Sequence, residues 1–239
     1  MRRVTSELDP YDRAREAAAS AAIERISPGM TIGLGSGRAV WKVVERIADR
    51  WPNEVPLRAV CASARTEELA KVAGIELVEL DPTDSGGPLD LAIDGTDEVD
   101  SDLGLIKGGG GAMLHEKLVI QAAARFVVVA ETVKRVARLG ETRPLPVEVV
   151  RFGWRQTWTR MVHLTAGATL RRNEDGSAFV TEEEHYILDC EIPREGHIAT
   201  LASTIKAETG VVEHGLFLGM ADEVLLGTPE GAVEVLQAI

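Results

Sequence analysis

Short apolar runs recur along the first part of the chain. Residues 30–34, 57–61, 75–80, 89–93 and 126–130 read as buried strands. Helical periodicity fills the gaps between them. Asp9 and Pro10 open a first helix over residues 9–26, which Ser27-Pro28-Gly29 stops. Val40, Val43, Val44 and Ile47 mark one face of a second helix beginning near Arg38. Thr66-Glu67-Glu68 opens a third, ending near Gly74, and a fourth runs from Glu116 through Ile120 to Ala124. This alternation predicts a parallel sheet covered on both faces.

The pattern changes near Pro144. Leu145, Val147 and Val149 alternate with other residues, as in a half-exposed strand. A helix is expected over residues 154–163, strands over 168–172, 178–181 and 186–192, and a helix with Ile198, Leu201 and Ile205 on one face. A strand over residues 211–217 follows. A further strand over 221–226 and a terminal helix over 231–239 return towards the first sheet. The expected fold is therefore α/β: a mostly parallel sheet domain from residues 1–142 plus 220–239, and a smaller α+β domain from residues 143–219.

Candidate chemistry concentrates between residues 94 and 117, which read DGTDEVDSDLGLIKGGGGAMLHEK. Asp94, Asp97 and Glu98 stand at the end of one apolar run and Lys107 at the end of the next. Four glycines then lead into a helical segment carrying Glu116. Ligands of open α/β sheets bind beyond the carboxyl ends of strands. Consecutive glycines are costly inside helices and strands, but they make a turn whose bare N–H groups a ligand can approach.

A second candidate is GLGSGRA at residues 33–39. Strand, glycine turn and helix start direct free N–H groups and a positive dipole end at an anion. A dinucleotide fingerprint fails here, at Arg38 or at Val40 depending on where it starts, and the Gly-Lys-Ser/Thr of a P-loop is missing. The turn suits one small phosphate, and Lys134 is a candidate grip for it.

The formal net charge of -12, with no basic cluster, argues against a nucleic-acid partner. No apolar run reaches the roughly 18 residues a membrane helix needs. The first twenty residues lack the apolar core of a secretory signal, and Cys61 and Cys190 have no paired spacing, so a cytoplasmic protein with free thiols is expected. The five histidines form no metal-ligand motif and read as surface or turn residues.

The stretches GLGSG at 33–37, DGTDE at 94–98, KGGGGAMLHEK at 107–117, PLPVEV at 144–149, ILD at 187–189 and GVVEHGLF at 210–217 carry a resemblance. Over nearly its whole length the chain resembles the type A ribose-5-phosphate isomerases. The resemblance implies a Rossmann-like domain with a smaller, ferredoxin-like one, and interconversion of ribose 5-phosphate and ribulose 5-phosphate without metal or organic cofactor. It also implies a homodimer or homotetramer acting on a small sugar phosphate, with no nucleic-acid or membrane partner.

In that family Glu116 corresponds to the base. Asp94, Gly95, Thr96 and Asp97 correspond to one segment lining the sugar, and Lys107, Gly108, Gly109 and Gly110 to the other. Ser36, Gly37, Arg38 and Ala39, with Lys134, correspond to the phosphate site. From the chemistry, Lys107 neutralises an oxyanion and Asp94 relays a hydroxyl proton. The family's turn commonly reads Gly-Thr-Gly-Ser-Thr; here residues 35–39 read Gly-Ser-Gly-Arg-Ala, exchanging two hydroxyls for a guanidinium. Thr96 replaces a common alanine and adds a hydroxyl near the sugar. Residues 181–185 depart from Thr-Asp-Asn-Gly-Asn in the small domain, an altered turn. The rival of another class is a sugar-phosphate sensor, which would not need Glu116.

Overall fold

The computed structural model describes residues 9–237. The end of the expected terminal helix, and the first eight residues of the segment read for a leader, lie outside them.

The first elements alternate as the apolar pattern requires: α1 (Pro10–Ile23), β1 (Thr31–Leu34), α2 (Arg38–Arg50), β2 (Arg58–Cys61), α3 (Ala64–Val72), β3 (Glu76–Leu77), α4 (Pro82–Ser85) and β4 (Leu91–Asp94). Two short strands, β5 (Glu98–Val99) and β6 (Leu105–Ile106), precede α5 (Met113–Gln121) and β7 (Phe126–Glu131). Local chemistry sets the helix starts. Asp9 accepts from Tyr11 N at 2.7 Å with Pro10 in the first turn, and Ser63 Oγ accepts from Thr66 N at 3.3 Å to cap α3.

The remaining elements are β8 (Leu145–Val149), α6 (Trp154–Leu164), β9 (Gly167–Leu170), β10 (Tyr186–Glu191), α7 (Ile198–Ala207), β11 (Val211–His214), β12 (Leu216–Phe217), β13 (Glu223–Gly227) and β14 (Val233–Gln237). The large sheet has the order β14-β13-β7-β4-β1-β2-β3, and its pairs are parallel except β13 with β14. A four-stranded sheet, β11-β8-β10-β9, is antiparallel, and β12-β6-β5 forms a third.

Strand alternation divides the core between the faces. Val127 and Val129 pack with Ile32, Ile93 and the apolar stripes of α1 and α2. Phe126, Val128 and Ala130 pack with Met113 and Ile120 of α5 and with Phe217. A separate cluster, including Leu145, Val147, Leu188 and Ile205, fills the small sheet and its helices. This is the α/β architecture expected, with a mostly parallel sheet beside a smaller α+β unit. Among the described residues no helix is long and apolar enough to cross a membrane.

Several local expectations need correction. Residues 233–237 form an edge strand, not a helix. A turn closed by Gly231 N donating to Thr228 O at 2.9 Å folds the segment back along β13, where ladder bonds replace those of an isolated short helix. Residues 178–181 make only isolated bridges, to Arg172 and Tyr186. The strand expected over 211–217 breaks at Gly215 and serves two sheets. β8 is buried throughout rather than half-exposed, because it is flanked by β10 and β11 and its Glu148 is covered by Thr181 and His185. His214 is a buried strand residue, not a surface one, because β11 packs against α5 and α7.

Candidate active site

Four buried valine- and leucine-rich strands end on one side of the large sheet, and the site is built where β1, β4 and β7 stop. β4 is buried along its length and finishes in Asp94, which is 1% exposed. Asp94 Oδ1 accepts from Gly95 N at 2.7 Å and from Ser36 N at 3.1 Å. The β1 turn comes so close that a Cβ on Gly35 would lie 1.8 Å from Asp94 Cγ, so only glycine fits there.

Lys107 follows β6 and is 3% exposed. Its Nζ donates to Gly95 O at 2.6 Å and lies 2.9 Å from Asp94 Oδ2 and 3.3 Å from Glu116 Oε2. The two carboxylate contacts are ion pairs without the alignment of hydrogen bonds; Asp94 Oδ2 and Glu116 Oε2 are buried with no hydrogen-bond partner. Glu116 projects from the first turn of α5.

The electrostatics follow from burial. Desolvation pulls the Lys107 ammonium down, but Asp94 and Glu116 outweigh it and hold it above its ordinary value. Burial, then the Asp94 charge, push Glu116 up to about 8, against the pull of Lys107. Burial also raises Asp94, opposed by Lys107 and the Gly95 and Ser36 N–H groups. One ammonium thus faces two buried carboxylates, and Glu116 is the less hydrogen-bonded of them.

A cavity of about 370 Å³ opens above these groups. It brings together Ser36, Gly37, Arg38, Ala39, Gly95, Thr96, Asp97, Lys107, Gly108, Gly109, Gly110, Glu116 and Lys134. Asp94 lies beneath its wall, reaching it through Lys107. Gly37 caps α2 with φ 98° and no side-chain cap, leaving the helix N-terminus bare at the rim. Arg38 is exposed there, bonded to none of the described residues. Lys134 ends a 3-10 turn (Thr132–Lys134), donates to Thr96 O at 3.0 Å and stands 3.8 Å from Asp97 Oδ1. A cavity of about 320 Å³ over Leu139, Ile192 and Leu201 lacks any such acid–lysine set.

Two acidic-segment readings change. The Thr96 hydroxyl is turned into the backbone, 2.6 Å from Glu98 O and 2.9 Å from Ile106 O, because it ties the start of β5 to the end of β6 rather than facing a sugar. Glu98 points away and accepts from Gly140 N, Thr142 N and Arg143 N, fixing that loop.

The sequence reading missed Arg15, Trp41 and Glu131, which also line the cavity. Arg15 is 5% exposed, with Nη2 2.7 Å from Glu131 Oε1 and Nη1 2.6 Å from Asp12 Oδ1. Its signal was present: it heads the stripe Ala18, Ala19, Ala22 that α1 buries, where a solitary arginine needs a partner.

Residues 58–231 match the family model of ribose 5-phosphate isomerase A (phosphoriboisomerase A). The chain belongs to the ribose-5-phosphate isomerase A family. The ribose-5-phosphate isomerase A of Synechococcus sp. (strain JA-3-3Ab) is 45% identical over 228 residues, covering 95% of this chain and 97% of that one. That of Roseiflexus sp. (strain RS-1) is 46% identical over 225 residues, covering 92% and 94%. A solved D-ribose-5-phosphate isomerase in complex with phospho-erythronic acid superposes with a TM-score of 0.88 at 29% identity, covering 95% of this chain and 99% of the other. Ribose 5-phosphate isomerase A from Neisseria gonorrhoeae gives 0.87 at 31% identity, covering 96% and 98%. In this chain the glycine-rich and acidic stretches at 35–39, 94–97 and 107–110 converge on the cavity.

Proposed function

We propose that this protein interconverts D-ribose 5-phosphate and D-ribulose 5-phosphate, with Glu116 as the base that carries a proton between C2 and C1. Aldose–ketose isomerisation through an enediolate needs a base beside both carbons, a positive group for the transient oxyanion, and exclusion of water. Glu116 supplies the first and Lys107 the second. Asp94 holds Lys107 in place and relays a hydroxyl proton; Asp97 and the Gly108–Gly110 segment position the sugar. The bare start of α2 at Ser36–Ala39, with Arg38 and Lys134, takes the phosphate. Arg38 stands in for the hydroxyls the turn lacks, because it is exposed at that rim and bonded to none of the described residues.

The observation that carries this reading is the buried triad: one ammonium 2.9 Å from Asp94 and 3.3 Å from Glu116, at the floor of a cavity rimmed by an anion-binding turn. A relative that binds phospho-erythronic acid supports a phosphorylated sugar acid or sugar as the ligand class. A sensor would have no use for a buried, protonatable Glu116.

The division between residues 1–142 with 220–239 and residues 143–219 rests on the seven- and four-stranded sheets being separate; the three-stranded sheet links the two units, since β12 pairs with β6. A homodimer or homotetramer in the cytoplasm completes the proposal, supported by family membership and by the free thiols of Cys61 and Cys190. The test is a coupled assay for ribulose 5-phosphate formed from ribose 5-phosphate with EDTA present. Turnover in EDTA is expected; thermal stabilisation by ribose 5-phosphate with no turnover would overturn the reading in favour of a sensor.

A further inference from the structure

A charged side chain beside the small sheet reaches the glycine loop. Arg171, just after β9, donates from Nη1 to Gly108 O at 2.7 Å and to Gly109 O at 3.1 Å. Its other edge is gripped by Asp189 of β10: Nε donates to Oδ2 at 3.0 Å, and Nη2 pairs with Oδ1. The guanidinium carbon lies 5.8 Å from the centre of the Phe179 ring. A guanidinium is planar, so two bonds to one carboxylate fix the direction of the remaining donors.

This grip matters because of what lies across each peptide. A trans peptide points its N–H opposite its C=O. The Gly108–Gly109 peptide is held on both sides, by Arg171 at the carbonyl and by Asp97 Oδ2, which accepts from Gly109 N at 2.8 Å. The Gly109–Gly110 peptide is held by Arg171 alone. The N–H of Gly110 therefore faces away from Arg171; it donates to none of the described residues, and Gly110 borders the cavity. Nothing lies within 4 Å of where a Gly110 Cβ would be, so no packing contact holds this glycine in place.

We propose that Arg171, braced by Asp189, is a positioning residue of the isomerase reaction: it fixes the Gly108–Gly110 peptide planes so that the Gly110 N–H stands ready, beside Lys107, as a donor to the oxygen that turns negative. The inference rests on the function proposed above. It gives the small sheet a part in the chemistry through a half-buried bracket. The price of losing that bracket falls on turnover rather than on capture of the substrate, because phosphate and hydroxyl contacts at Ser36–Ala39 and Asp97 stay in place.

The experiment compares wild type, Arg171→Ala, Arg171→Lys and Asp189→Asn, with Arg172→Ala as control. Arg172 is an exposed neighbour whose Nη1 donates to Gly176 O in its own turn. Steady-state kcat and KM for ribose 5-phosphate, circular dichroism and Tm are measured for each. Arg171→Ala is expected to lower kcat about 100-fold, as for loss of one oxyanion donor, with KM within about threefold. Millimolar methylguanidinium should restore part of that kcat while leaving wild type unchanged. Arg171→Lys and Asp189→Asn should fall between, and Arg172→Ala should match wild type. Should Arg171→Ala fail to fold, the lysine and asparagine variants carry the same kcat-against-KM comparison. The proposal is overturned if all folded variants keep kcat within about twofold of wild type, if only KM moves, or if lost turnover tracks Tm and methylguanidinium restores none. Absence of turnover in wild type would instead remove the functional reading itself.

Discussion

Glu116 and Asp94 are both buried carboxylates facing the same ammonium, yet their surroundings assign them different work. Asp94 is held by two backbone N–H groups as well as Lys107, while Glu116 Oε2 has no hydrogen bond. Burial and the neighbouring Asp94 charge leave Glu116 titrating at about 8, well above an ordinary glutamate. A base must be unprotonated to act. The expected profile of kcat/KM therefore rises with pH towards a midpoint near 8 and falls about tenfold per unit on the acid side. An acid limb centred near the usual glutamate range of about 4 to 5 would contradict this placement of Glu116.

The clustering of these proposed catalytic groups was legible because Asp94, Lys107 and Glu116 fall in one short stretch with a glycine turn between them. Arg171 was not, since its partners Gly108 and Gly109 lie 63 and 62 positions away and an arginine in a strand region reads as a solvated charge. Thr96 and Glu98 misled for the opposite reason: near the site in sequence, they spend their polar atoms on the backbone.

At the scale of elements, α5 is pinned from behind the site. Lys117, beside Glu116, is buried; its Nζ donates to Glu213 Oε1 at 2.8 Å, His214 O at 2.7 Å and Leu216 O at 3.1 Å, and lies 4.5 Å from the Phe217 ring centre. Lys107 N donates to Gly215 O of the same segment at 2.9 Å. The lock therefore ties the helix carrying Glu116 to the strand end carrying Lys107. Lys117→Met removes three hydrogen bonds and leaves Glu213 paired with Lys206 at 2.8 Å; it should cost about 2 kcal/mol and lower Tm by roughly 4–8 °C. An unchanged Tm by calorimetry would deny the lock its role.

The same lock has a pH signature. Burial, then the Lys117 charge, bring His214 down to about 4. Its folded value lies below its unfolded value of about 6.5, so the stability it contributes is full above about 6.5 and is lost as pH falls towards 4. The Tm difference between wild type and His214→Gln should shrink over that window; a difference that grows on acidification would contradict the assignment. The element scale also shows where periodicity stopped helping. Residues 233–237 carried the alternation of a strand, but only the hairpin with β13 decides that they pair. β8 read as half-exposed because Glu148 is polar, and nothing local says that Thr181 and His185 will cover it.

For the whole molecule, the alternation of the first 130 residues was enough to give the parallel sheet, and the strand ends where the candidate site is proposed. What pattern could not give is how the two sheets meet. The glycine loop lies between them, with Asp97 on one side and Arg171 and Phe179 on the other; a Cβ on Gly111 would meet Phe179 Cζ at 2.5 Å. One small ligand should therefore protect three separated segments at once. In hydrogen exchange, ribose 5-phosphate is expected to slow the amides of residues 36–39, 95–97 and 108–111 together. Protection confined to one of these segments would mean that they do not share a site.

The central claim is that a single carboxylate moves the proton, and kinetics of Glu116→Gln test it most directly. The substitution keeps the shape of the side chain and removes its basicity. The expected result is a kcat lowered at least about 1,000-fold with ribose 5-phosphate still bound within about threefold of the wild-type affinity. A Glu116→Gln protein that turns over at near the wild-type rate would contradict the account.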